Sequence, residues 1–183
     1  MSEARPWIVA VAVVVIGAII RVAWGGYASL ERASQADEAG QLRVAALEYR
    51  QTLAWYLPVA PWRAEAADAL WELSDKAYQA KRWDDVVMLL NMYRSGILSG
   101  RSILGTDSEL LARGDERLAE ALGRWEAELA IKENRPALGA LPARIAHFGD
   151  VLAEDRLPSR FWGLLAVLGF LVWLGAAWRS AGV

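Results

Sequence analysis

Two apolar runs stand at the ends of this chain, Trp7 to Trp24 and Phe161 to Trp178, and nearly every charge lies between them. Each run is 18 residues long. An α-helix of that length rises about 27 Å, close to the ~30 Å hydrocarbon core of a bilayer. Trp7 and Trp24 bracket the first run, and Trp162 and Trp178 bracket the second. Indole rings favour the headgroup level, so these read as interfacial belts. The pattern predicts two transmembrane helices with a soluble domain between them.

The second run carries no charge and stops at Arg179. The first contains Arg21, which leaves Trp7 to Ile20 as its uncharged part. No small-x-small cleavage site follows that part, so an uncleaved signal anchor is expected over a cleaved signal peptide. Arg21 has two readings. Its long stem can snorkel to the nearby interface. Alternatively, Ala10, Val14, Gly17 and Arg21 fall on one helical stripe beside Trp24, and small residues there admit a second helix. In the second run Gly163, Ala166 and Ala177 share a sector. These positions are candidate contacts to the membrane helices of partner subunits.

The stretch from 28 to 159 holds 16 Lys and Arg against 21 Asp and Glu, a net charge near −5. The charges are interspersed. Nucleic-acid binding calls for a basic stripe, which the sequence lacks, and no nucleic-acid partner is expected. Avid attraction to anionic lipid surfaces is disfavoured for the same reason. The chain has no cysteine, which removes disulfides, zinc–thiolate sites and thiol nucleophiles. Arginine outnumbers lysine 17 to 3, a bias of GC-rich, bacterial coding.

Helical periodicity dominates the middle, and an all-α fold is expected. A first helix runs from Tyr27 to Ala39, continuous with the membrane run through Gly25-Gly26, and Gly40 breaks it. The second spans Leu42 to Tyr56 with Leu42, Ala45, Ala46, Tyr49, Leu53 and Tyr56 inward, and Pro58 and Pro61 stop it. The third spans Trp62 to Ala80 with Ala66, Leu70, Leu73, Ala77 and Ala80 inward. The fourth, Trp83 to Ile97, presents Val86, Val87, Leu90, Tyr93 and Ile97. The fifth is capped by Asp107 or Ser108 and carries Leu111, Leu118, Leu122, Trp125 and Leu129 to Ile131. Gly114 within it marks a kink or a close contact. After a linker with Pro136, a sixth helix from Pro142 to Ala153 aligns Leu141, Ile145, Phe148 and Leu152. It either lies on the bilayer or, as preferred here, packs against the other helices. The divisions expected are 1–26 (tail and span), 27–132 (helical domain), 133–159 (linker and juxtamembrane helix) and 160–183 (span and tail).

The run Ala36-x2-Ala39-Gly40-x-Leu42-x2-Ala45-x3-Tyr49-x2-Thr52 has a later counterpart in Leu70-x2-Leu73-Ser74-x2-Ala77 continuing through Trp83-x2-Val86-x3-Leu90-x2-Tyr93. The offset is 41 residues, and Gly40 is replaced by Lys81 in the second copy. Over residues 28–98 this resembles the tetratricopeptide repeat. The resemblance implies stacked helical hairpins that hold a protein or peptide on a concave face.

No catalytic constellation is expected, and no cofactor or metal. His147 is the single histidine and reads as a surface residue. Asp84-Asp85 suit a helix start. Asp115-Glu116 read as a solvated face, and Glu133, Asp150, Glu154 and Asp155 lack calcium-loop spacing. The loop from Gly100 to Gly105 lacks the Lys-Ser/Thr ending of a phosphate loop. Met88 and Met92 read as core. Trp55, Tyr56 and Trp62 cluster around Pro58 and Pro61, either sealing the turn between helices or offering a docking knob.

The expected role is therefore a non-catalytic subunit or assembly scaffold of a bacterial inner-membrane complex. Its partners are membrane subunits, a protein or peptide on the helical domain, and the bilayer itself. The alternative is a small membrane-bound enzyme or transport factor using Arg21 and Arg160 at the membrane face. Simple counting of Arg21, Arg32, Arg156 and Arg160 against Arg5 and Arg179 on the tails puts the domain in the cytoplasm, but long translocated domains are largely exempt from that rule; a periplasmic domain is preferred.

Overall fold

A computed structural model describes residues 5–55, 60–99 and 108–154, together with 165, 168, 169, 172, 173 and 176; for 5–10 it describes the backbone alone. Six α-helices and no strands are found among these residues: α1 (Arg5–Glu38), α2 (Leu42–Ala54), α3 (Pro61–Gln79), α4 (Trp83–Ser99), α5 (Ser108–Lys132) and α6 (Leu141–Glu154). The fold is all-α.

Helix α1 runs unbroken for 34 residues through Gly25-Gly26, about 51 Å. Its N-terminal part stands away from the other helices. Val13, Val14 and Ile20 are each more than 60% exposed, and Trp24 is 75% exposed. By length and composition α1 is able to cross a membrane, with a mean hydropathy of 1.9 over its apolar window. The second expected span lies outside the described residues, apart from helical positions such as Leu165, Leu168, Val172 and Trp173, all exposed.

The C-terminal part of α1 pairs with α2, and α3 pairs with α4. Helices α2 and α4 lie side by side at the centre, and α5 packs on α4 and receives α6 on its other side. The sixth helix thus takes the packed arrangement, with Ile145 against Gly123 of α5. The core combines Leu53, Leu70, Leu89, Leu90, Tyr93 and Ile97 with alanines such as Ala45, Ala66 and Ala77 at 0% exposure. Small side chains let these helices approach closely. At the α2–α4 crossing, a β-carbon on Gly96 would lie 2.8 Å from Leu53 Cβ. The inward residues anticipated for α2 are buried or half-buried up to Leu53, but Ala80 at the end of α3 is exposed. On α5 the buried set is Gly114, Leu118, Ala119, Ala121, Gly123, Glu126 and Ala130, while Trp125 and Leu129 are only half-buried. The reason is that α5 is gripped between α4 and α6, which cover its small residues. Gly114 is a close contact: its β-carbon would meet the Tyr93 ring at 2.8 Å.

One turn recurs at three helix ends. Gly40, Lys81 and Asn134 adopt left-handed φ values of 69°, 54° and 52°. In each case the next N–H reaches back to an alanine carbonyl: Gln41 to Ala36 at 2.8 Å, Arg82 to Ala77 at 3.0 Å and Arg135 to Ala130 at 3.0 Å. The left-handed residue itself donates to Asp37, Tyr78 or Ile131. This is the Schellman arrangement, which satisfies carbonyls the helix end leaves open. The left-handed conformation disfavours residues with a β-carbon. Lys81→Gly is therefore expected to raise stability by about 0.5–1 kcal/mol, and Gly40→Ala to lower it by about 1 kcal/mol, in urea unfolding.

Candidate functional site

Helices α3 and α5 do not meet through their backbones, although both pack on α4. A groove of about 520 Å³ opens between them, lined by Trp71, Tyr78, Arg113, Glu116, Arg117, Glu120 and, from α6, Ile145. The spacing of the side chains explains its lining. Trp71 and Tyr78 lie seven residues apart on α3, two helical turns, and so share a face. Arg113, Arg117 and Arg124 form the matching stripe on α5.

The cations lie close over the rings. Arg113 stacks over Trp71 with its guanidinium carbon 3.8 Å from the ring centroid. Arg117 sits 4.8 Å from both the Trp71 and Tyr78 rings and pairs with Asp75 of α3. Arg124 lies 5.2 Å from the Trp83 ring. Arginine suits this geometry because its planar group stacks while its edge still donates. The buried Nε of Arg117 has no hydrogen-bond partner among the described residues. Tyr78 meets Trp83 edge-on at 5.1 Å.

Glu120 gathers the polar ends. It accepts a hydrogen bond from the Tyr78 hydroxyl at 2.7 Å and from Arg124 at 2.8 Å. Partial burial pushes the Glu120 carboxyl up, but the bonds from Tyr78 and Arg124 outweigh it and hold its pKa below the usual value. The hydrogen bond to Glu120, with burial behind it, pushes the Tyr78 phenol above 10.0. Each group is thereby held in its ordinary charge state at neutral pH. The lining thus combines charged groups with flat apolar faces.

A second feature lies at the junction of α1, α2 and α3. Gly25 and Gly26 are sockets for two tryptophans. A β-carbon on Gly25 would lie 2.8 Å from Trp55 Cε2, and one on Gly26 would lie 2.5 Å from Trp62 Cε2. Trp62 is 3% exposed, and its Nε1 donates to the Trp55 carbonyl at 3.1 Å. Tyr27 meets its ring edge-on at 4.9 Å. Arg63 Nε donates to the Leu53 carbonyl at 3.2 Å, which covers the end of α2. The buried Ser29 hydroxyl donates to the Gly25 carbonyl at 2.8 Å. Beside this joint is a cavity of about 450 Å³ lined by Arg21, Trp24, Gly25, Ala28, Arg32, Gln51 and Trp55.

The structure distributes the sequence-predicted contact residues as follows. Arg21 and Trp55 come together, with the guanidinium 5.3 Å from the indole centroid. Trp62 is spent on internal packing. At Gly17 nothing among the described residues lies within 4 Å of a β-carbon built on it. Ala10 lies on the α1 backbone, but its side chain is outside the described residues, as are Tyr56, Gly163, Ala166 and Ala177. His147 is exposed beside Phe148. Met88 and Met92 pack against the core. Asp115 is not merely solvated: it accepts from Arg94 Nε at 2.7 Å, and Arg94 also reaches the Leu152 carbonyl of α6 at 3.2 Å. No cluster of three candidate metal ligands is found among the described residues.

Sequence reasoning missed the α3–α5 groove. Its signal was the seven-residue spacing of Trp71 and Tyr78 with the Arg113-Arg117-Arg124 stripe. It also missed a buried carboxylate. Glu126 of α5 accepts from Arg135 at 2.9 Å and from the Leu138 N–H at 3.2 Å, and its other oxygen lies 3.5 Å from Arg144 Nε. Arg144 is itself 8% exposed and donates to the Gly123 carbonyl at 2.9 Å and the Gly139 carbonyl at 2.7 Å. These bonds tie the linker and α6 onto α5.

The described residues define a class: an all-α protein whose first helix is long and apolar enough to cross a membrane and whose C-terminal half joins the packed helices through α2 and α3. Comparison with protein families, with curated proteins and with solved structures finds no match.

Proposed function

We propose that this protein is a non-catalytic scaffold subunit of a bacterial inner-membrane complex, held in the bilayer by helices at both ends. Its tetratricopeptide-like hairpins hold a partner segment outside the membrane, on the periplasmic side. The observation that carries the reading is the α3–α5 groove, with the guanidinium groups of Arg113 and Arg117 set against the Trp71 ring. Such a surface suits a protein segment that sets a carboxylate beside an apolar side chain. The uncovered apolar face of α1 supports anchoring and leaves Gly17 accessible to a partner helix.

Purification in mild detergent with identification of co-purifying chains tests this. The native protein is expected to carry a stoichiometric protein partner. Arg113→Glu reverses the charge on an exposed groove residue and is expected to reduce retention about tenfold or more while leaving the helical circular dichroism intact. A solitary native monomer, or full retention in the Arg113→Glu protein, counts against the reading. A phosphatase fusion after Val183 reports the side: activity there places the C-terminus outside the cytoplasm and contradicts a periplasmic domain.

A further inference from the structure

The cavity between α1 and α2 has an unusual position. Its lower wall is Arg21, directly after the exposed apolar stretch that ends at Ile19 and Ile20. Trp24, 75% exposed, stands one turn further on, where an interfacial indole is expected. The cavity therefore opens at the height of the lipid headgroups if α1 spans the bilayer, and the inference rests on that part of the proposed function. Its upper wall is Arg32, and Gln51 and Trp55 close the side formed by α2.

The charges inside are not balanced. Arg32 is held by Glu48, at 3.0 Å between Nη2 and Oε2, which fixes the position of its guanidinium. Arg21 rests on an indole, 5.3 Å from the Trp55 centroid. Trp55 is in turn seated on Gly25, so the platform beneath Arg21 is set by backbone packing. The N–H edge of a guanidinium matches two oxygens of a phosphate. The Gln51 amide adds a neutral donor.

We infer that this cavity is a binding site for a phosphate group, supplied by the headgroup of an anionic phospholipid, with Arg21 as its principal ligand. The negative charge of the soluble stretch opposes general attraction to an anionic surface. Recognition here is instead local, through one pre-positioned arginine in a walled cavity at the membrane face.

The test uses the full chain, purified from phosphatidylcholine nanodiscs doped with phosphatidylglycerol, with bound lipid counted by native mass spectrometry. The native protein is expected to retain phosphatidylglycerol in preference to phosphatidylcholine. Arg21→Gln and, independently, Gln51→Glu are expected to cut that retention about tenfold. Gln51→Glu leaves the membrane helix untouched and places a carboxylate in the cavity. Arg43→Gln, an exposed change of equal charge on α2 away from the cavity, is expected to have no effect. Equal loss in Arg43→Gln, or no loss in Gln51→Glu, overturns the site. Displacement of the lipid by millimolar inorganic phosphate overturns the lipid as source and assigns the cavity to a soluble phosphate. Carbonate extraction of each variant scores membrane insertion separately, so failure of the anchor reading is distinguishable from failure of the site.

Discussion

Trp62→Ala is expected to lower the unfolding free energy by about 3–5 kcal/mol, the largest effect of any single substitution considered. The indole is 3% exposed and fills the space over Gly26. Its loss removes a large apolar group, orphans the Trp55 carbonyl that its Nε1 serves at 3.1 Å, and takes away the edge-on partner of Tyr27. Gly26→Val approaches the same joint from the other side. Its β-carbon would fall 2.5 Å from a ring atom that the Trp55 carbonyl and Tyr27 hold in place, so overpacking of about 1–3 kcal/mol is expected. Urea unfolding in detergent, followed by circular dichroism, measures both. Because this joint seats α3 on α1, limited proteolysis between α2 and α3 should accelerate in either variant. Native stability in the Trp62→Ala protein would show that the joint does not hold these helices together.

The second large effect concerns the tie between α5 and α6. Arg144→Ala is expected to cost about 3 kcal/mol, because it strips the Gly123 and Gly139 carbonyls of their donor and weakens the charge balance around Glu126. The same cluster sets an acid limit. Burial pushes the Glu126 carboxyl up, but the bonds from Arg135 and the Leu138 N–H, with the charges of Arg135 and Arg144, hold it below its ordinary value of 4.5. A carboxyl lowered on folding contributes stability above its unfolded pKa and loses that contribution as pH falls through the folded one. Stability is therefore expected to drop on acidification below about pH 4.5. Glu126→Gln should begin less stable and show a shallower acid limb. An acid limb of unchanged slope in that variant would remove Glu126 from the account.

The helix Trp83–Ser99 was legible because Val86, Leu90, Tyr93 and Ile97 repeat at helical spacing, and all are buried. The replacement of Gly40 by Lys81 read as a departure between the two copies, yet both residues adopt the same left-handed φ. Helix α5 was read less well. Leu118 is fully buried and Leu111 and Leu122 pack against the core as read, but Trp125 and Leu129 are only half-buried, and the buried face also takes in Ala119, Ala121 and Gly123. Hydrophobicity marks which residues leave water, but a helix gripped on two sides buries its small residues, since only they let two neighbours approach together. The candidate sites were half legible. Arg21 and Trp55 were singled out separately, yet their 34-residue separation in sequence hides that they meet.

The sequence by itself determined the helices, their stops and the apolar runs, because periodicity, helix-breaking residues and hydropathy are local properties of the chain. Only the tertiary structure decided that Gly25-Gly26 receives two tryptophans, that α3 and α5 stand apart to leave a groove, and that Glu126 and Arg144 meet in the interior. Those features depend on which surfaces face each other, and that follows from close packing between helices distant in sequence.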